Sequence, residues 1–216
     1  MRFVSAAIIT VVLFAALPSA QAEVGVSPKI GTLGPGVDVT LGLSERSNLR
    51  LFGHMFTYNF VANRVEGDID ADIKGLNYGA LLDFHPGGSS FRLSLGVMIN
   101  ANEVDLDADL TEAVNLAGID FNLDDLTGEI SFDELAPYIG IGFGNAVGAD
   151  GNWHFSFDLG VFYQGEPTVS ASAVSSIPAL QPVVDFALAE EVADIQDDAD
   201  KFTLYPFLAI GLSYKF

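Results

Sequence analysis

The chain ends FTLYPFLAIGLSYKF (202–216). Read at every second residue, Phe202, Leu204, Pro206, Leu208, Ile210, Leu212, Tyr214 and Phe216 share one face, while Thr203, Tyr205, Phe207, Ala209, Gly211, Ser213 and Lys215 share the other. Strict alternation is the signature of a strand. An apolar face of this length needs lipid or a second sheet to cover it.

The same period recurs upstream at Val37–Leu43, Leu76–Phe84, Phe91–Ile99, Ile139–Phe143 and Trp153–Tyr163, with Gly, Ser, Thr, Asn and occasional charges on the opposite faces. Residues 24–33 and 49–60 add two weaker strands, and in the second the apolar parity changes near Gly53, which predicts a bulge. The total is eight. Three connections are short, at 44–48, 85–90 and 145–152. The opposite set comprises a tight turn at 34–36 and longer segments at 61–70, 102–134 and 164–201. The expected fold is therefore all-β, an eight-stranded antiparallel up-and-down transmembrane barrel. It has long acidic extracellular loops, one of them helical, and both termini on the periplasmic side. A secreted β-sandwich also alternates, but its strands are usually shorter.

In this pattern the chain resembles small eight-stranded bacterial outer-membrane proteins of the OmpA, OmpX and OmpW kind. Terminal Phe216, with Tyr214, Leu212 and Ile210 on its face, is similar to the C-terminal signal of such barrels, which implies recognition by the barrel-assembly machinery. Residues 1–22 fit an export signal: Arg2, an apolar run from Phe3 to Leu17, and Ala20-Gln21-Ala22 as the cleavage site. That leaves 23–216 as the barrel domain, in the bacterial outer membrane. The alternative for 1–22, a spanning helix, needs roughly 20 apolar residues.

Composition narrows the function. The 216 residues include 29 acids and 9 bases, for a net charge of −20, and no cysteine. Such a balance argues against a nucleic-acid partner, and the absence of cysteine removes disulfides and thiolate chemistry. Twenty-three of the 29 acids fall in 66–72, 103–134 and 166–200. No cofactor or metal site is expected; the acidic rim would meet outer-membrane lipid and lipopolysaccharide with divalent cations as bridges.

Inward parity collects Lys29, Asp38, Arg50, Asp83, Arg92, Asp158 and Lys215, among which Asp83 and Arg92 are expected to pair across the 85–90 turn. Arg50 and Asp158 join them as structural lumen charges. Higher up, Met98, Tyr138, Phe162, Tyr205 and Phe207 point inward. They either plug the barrel or line an apolar pocket, and resemblance to OmpW implies a site for a small hydrophobic ligand. The leading functional expectation is binding or passive passage of such a compound. The alternative is a structural or adhesive surface barrel whose acidic crown contacts lipopolysaccharide, divalent cations or a host partner. His154 and Ser156 resemble the His-x-Ser pair of lipid A deacylases, but their inward parity near the periplasmic end is the wrong place for that chemistry, and no enzyme is expected.

Two loop segments carry further signal. Val183, Val184, Phe186, Leu188, Val192 and Ile195 fall near helical spacing, predicting a helix over about 180–200 that caps the mouth. EVDLDADL (103–110) has the D-x-D-x-D look of a calcium loop, but Leu110 and Leu116 stand where an EF-hand needs Gly and Glu. Carrying the phase of 91–99 forward instead makes the acids outward and Val104, Leu106 and Ala108 inward. Asp68, Asp70 and Asp72 mirror this. The stretch is predicted to be a strand continuing above the membrane.

Overall fold

A computed structural model describes residues 23–63, 67–110, 113–116, 118–148 and 151–216; the expected export signal lies outside the described residues. The described residues form thirteen strands and one α-helix. Eight strands close a barrel: β1 (Val24–Gly31), β2 (Gly34–Ser44), β3 (Ser47–Asn63), β4 (Gly67–Phe84), β5 (Phe91–Asn100), β10 (Leu135–Phe143), β11 (Trp153–Tyr163) and β13 (Leu204–Lys215). Each pairs antiparallel with its neighbours, and β4 with β5 and β1 with β13 complete the ring. No described helix is long and apolar enough to cross a membrane. The strands do so, because a closed ladder leaves no backbone group unpaired in lipid. Outward Val37, Leu82, Leu95, Ile139, Phe155 and Leu208 are all exposed, forming the expected apolar belt. At the end where the short turns gather, Trp153, Tyr214 and Phe216 stack edge to face as an aromatic girdle.

Two local expectations need correction. The reversal between β1 and β2 lies at Thr32-Leu33, with 34–36 already in β2. No bulge occurs at Gly53; β3 keeps one register against β4 from Ser47 opposite Phe84 to Asn63 opposite Asp68. The parity of the apolar residues changes because β2 ends beside the upper part of β3, so Phe56, Tyr58 and Phe60 lie on the inner face above the barrel.

The long connections are not loops. They contain β6 (Glu103–Leu110), β7 (Val114–Leu116), β8 (Ile119–Phe121), β9 (Leu123–Ser131), β12 (Thr168–Ser175) and α1 (Gln181–Ala199). The upper parts of β3 and β4, with β6, β9 and β12, make a five-stranded sheet that rises from the barrel wall. The ladder passes into it without a slip: Asn77 faces Asn100 and Lys74 faces Glu103 at the same offset along β4. EVDLDADL is thus a paired strand, between β4 and β9. Asp105 and Asp107 lie on the outer face and Val104 and Leu106 on the inner; the side chains of Asp68, Ile69, Asp109 and Leu110 lie outside the described set.

The helix forms where expected but does not cap the barrel. Val184, Ala187 and Leu188 bury against Phe121, Leu123 and Ala173, a core separate from that of the lumen, while Val183, Phe186 and Ile195 face solvent. Two glutamines fasten the helix along β12, an edge strand. Gln181 accepts from Ser175 N–H (2.8 Å) and donates to Ala173 O (2.9 Å). Gln196 accepts from Val169 N–H (2.9 Å) and donates to Pro167 O (2.6 Å). Each side-chain amide takes the place of a peptide group in a neighbouring strand. The spacing fits: 15 helical residues rise ~22 Å and the six strand steps between Val169 and Ser175 cover ~20 Å. Replacing Gln196 by Ala should therefore speed amide hydrogen exchange at Val169 about fivefold, the equivalent of one net hydrogen bond of ~1 kcal/mol. Unchanged exchange would show that the clamp holds nothing.

Candidate functional site: the lumen and the crown

From the short-turn end upward, the lumen is filled in three layers. Residues 144–148 fold back into the lower mouth, where Val147 is buried and Asn48 donates to Asn145 Oδ1 (2.9 Å) beside His85. Ser27 and Ser213 bridge the β1–β13 seam at 2.6 Å.

Above them lies a charge cluster of Lys29, Arg50 and Arg92 with Asp38, Asp83 and Asp158, all buried. Arg50 is its centre: the guanidinium reaches Asp38 at 3.2 Å, Asp83 at 2.8 Å and Asp158 at 2.9 Å. Lys29 bridges Asp38 and Asp158 at 2.6 Å each. The expected Asp83–Arg92 pair is present only at 3.9 Å. Arg92 instead binds Asp158 at 2.6 Å and the carbonyls of Phe143 and Gly144, while Ser94 donates to Asp83 at 2.5 Å. Neighbouring inward positions in a twisted barrel meet at the axis, so adjacency across one turn does not decide partners there. Three cations and three carboxylates balance locally, which is how six charges tolerate burial. Lys215, also of inward parity, sits at the rim with Glu23 at 3.3 Å.

The third layer contains all five residues expected in the upper lumen. Met98, Tyr138, Phe162 and Phe207 are buried with Leu33, Leu81, Ala136 and Ala209; Phe52 and Tyr205 pack against them. Phe162 stacks on Tyr205 with centroids 4.8 Å apart, and Phe207 meets Tyr138 and His54 edge-on at 5.8 and 5.7 Å. Inward Gly140 and Gly160 make room for the Tyr138 ring, which a Cβ at either place would strike. Leu33, on the β1–β2 turn, escapes a reading of the sequence because periodicity assigns no face to a turn. Two small voids of about 10 Å³ each lie among these side chains, one in the polar half lined by Thr40 and Ser156 and one in the apolar half. Each is the size of one water.

His154 and Ser156 are not hydrogen-bonded to each other. His154 Nε2 lies 3.2 Å from Gly151 O, and Ser156 Oγ has no hydrogen-bond partner.

The outer face of the crown is an acidic ladder. Asp70 stands opposite Asp107, and Asp72, Asp105 and Glu129 follow one another across β4, β6 and β9. Two groups relieve them: the Asn59 amide donates to Asp72, and the Lys74 ammonium bonds Asp105 and holds that carboxyl below its ordinary range, whereas Glu103, sharing a hydrogen bond with Asp105, is raised. Among the described residues no group of three or more His, Asp or Glu is placed to hold a metal ion.

Because Arg50 serves three carboxylates and Arg92 chiefly one, Arg50→Ala should cost more than Arg92→Ala. For Arg50→Ala we expect a loss of about 3–5 kcal/mol, the range for stranding buried charge. Urea unfolding in lipid vesicles, read by the gel shift between folded and unfolded barrels, measures both; equal losses would contradict the network.

No protein-family model matches the chain, and no curated protein matches it. Among solved structures it is similar to the crystal structure of Acinetobacter baumannii CarO2, with a TM-score of 0.58, 20% identity, and coverage of 91% of this chain and 100% of that one. A second likeness is Acinetobacter baumannii CarO, with a TM-score of 0.56, 22% identity, and coverage of 90% and 98%. A major outer membrane protein from Thermus thermophilus aligns over 91% of this chain and 100% of its own at 16% identity, with a TM-score of only 0.46. At these identities the likeness to the two Acinetobacter proteins speaks for the fold, and with the apolar belt it makes the chain a small eight-stranded β-barrel of the outer-membrane type.

Proposed function

We propose that the protein is a sealed outer-membrane barrel that displays an acidic sheet-and-helix crown at the cell surface, a structural or adhesive protein and not a conduit. The observation that carries this reading is the lumen, filled by buried side chains from the 145–148 turn through the charge cluster to the Phe162–Phe207 layer, among which lie two voids of about 10 Å³. Small barrels fill with side chains by default, and here the 145–148 turn closes the lower mouth as well. In this reading the short turns and the termini face the periplasm and the crown faces outward, as in barrels with short periplasmic turns. Its outward acids would repel anionic lipopolysaccharide unless divalent cations lie between them.

Passage of a small hydrophobic compound is the competing reading; the side chains that would line its path are the ones packed as the apolar layer. In planar bilayers the protein should give no discrete conductance steps. Vesicles containing it should take up a small hydrophobic fluorophore no faster than empty ones. Uptake that the protein accelerates, and that Phe162→Ala alters, would establish passage instead.

A further inference from the structure

The five-stranded crown sheet has two edges, and they are treated differently. The β12 edge is covered by α1 and its two glutamine clamps. The opposite edge is the upper part of β3. There β2 stops, its last pairing being Gly36 with His54, and beyond it residues 57–63 pair with β4 alone. Leu76 exchanges both backbone hydrogen bonds with Ala101 on the far side of β4. Alternation then turns Ile73 and Ala71 toward β3, and leaves the N–H and C=O of Thr57, Asn59 and Val61 on the open side.

This edge lacks the usual devices against strand addition: residues 57–63 contain no charge, no proline and no bulge. Large apolar side chains are exposed on both its faces, Tyr58 at 63% and Phe60 at 53% on the inner, Met55 at 62% and Val61 at 56% on the outer. One strand further in, the outer face carries Asp70 and Asp72; Asn59 of the edge strand donates to Asp72, and both carboxylates keep their negative charge.

We propose that residues 57–63 of β3 are a docking edge for an extended segment of another polypeptide, which adds to the crown as a sixth strand. The side-chain pattern it must present follows from the sheet. Inward positions lie against Tyr58 and Phe60 and are apolar. Outward positions sit ~5 Å from β3 and ~10 Å from β4, where a lysine or arginine reaches Asp70 and Asp72. The partner is therefore a strand alternating basic and apolar residues. A second copy of this chain does not fit. Its 9 bases supply no such alternation, and two copies in one membrane are related by an axis along the membrane normal, which carries β3 onto a strand rising the same way instead of antiparallel. The inference uses the display reading only to place the edge in water, and a conducting lumen would overturn that reading while leaving this edge to be tested separately.

The test uses the full chain in nanodiscs and a synthetic ten-residue peptide alternating Lys and Val. Binding is expected, with slowed amide exchange at Thr57, Asn59 and Val61. Asn59→Pro, which removes an edge-facing N–H and is tolerated on an edge strand, should weaken binding about tenfold or more. Asp70→Asn with Asp72→Asn should weaken it and flatten its salt dependence. A peptide of equal charge with a central proline should bind as poorly as the wild-type peptide binds Asn59→Pro. Equal binding of both peptides, or no added protection at Thr57, Asn59 and Val61, would reduce the effect to charge attraction and overturn the proposal. So would failure of the alternating peptide to bind while lipopolysaccharide alone protects these amides.

Discussion

The backbone ladder of β4 is the constraint on which the molecule depends. Its lower half, opposite β5, closes the barrel; its upper half, opposite β6, leaves the membrane, and the offset between partners does not change at the junction. A strand turns alternate side chains to alternate faces, so an unbroken register carries the same parity from lipid into water. The face that is Leu82 and Tyr78 below becomes Asp72 and Asp70 above. The chemistry of each face inverts because the solvent on each side does.

That continuity separates two kinds of core. In the barrel, polar and charged groups must be satisfied inside a closed wall, and Arg50 does so by gathering three carboxylates at the axis. In the crown, the apolar face needs a cover of its own, which α1 supplies through Val184, Ala187 and Leu188 over the β9–β12 end. The helix reaches no further than that, and the β3 end of the same sheet is left open. A protein with a net charge of −20 can expose such an edge with little risk of self-association, since copies repel one another.

On the proposed display reading, a filled lumen and a built crown shift the weight of function from the inside of the barrel to its outer end. The aromatic layer of Phe162, Tyr205 and Phe207 packs against Leu33 from a two-residue turn, so access from above would require that turn to move. The acids, the clamped helix and the open edge all lie beyond that layer. On that reading, stability and display fall to different halves of one continuous sheet.

Period-two alternation in the sequence by itself determined the eight barrel strands, their lipid-facing residues outside the upper part of β3, and the inward set from Lys29 to Asp158, because in a strand parity fixes the face. It also placed 103–108 above the membrane with its acids outward, since phase persists along a paired strand. Tertiary structure alone decided who meets whom. Arg50, and not Arg92, became the hub, because partners at a barrel axis are set by shear and twist. Phe56, Tyr58 and Phe60 looked like a bulge because the end of a neighbouring strand leaves no mark on local periodicity. Residues 164–201 read as a loop with a helix, yet β12 and its glutamine clamps arise only when β9 is beside them. Pairing across more than 30 residues is a property of the folded sheet, which no local pattern encodes.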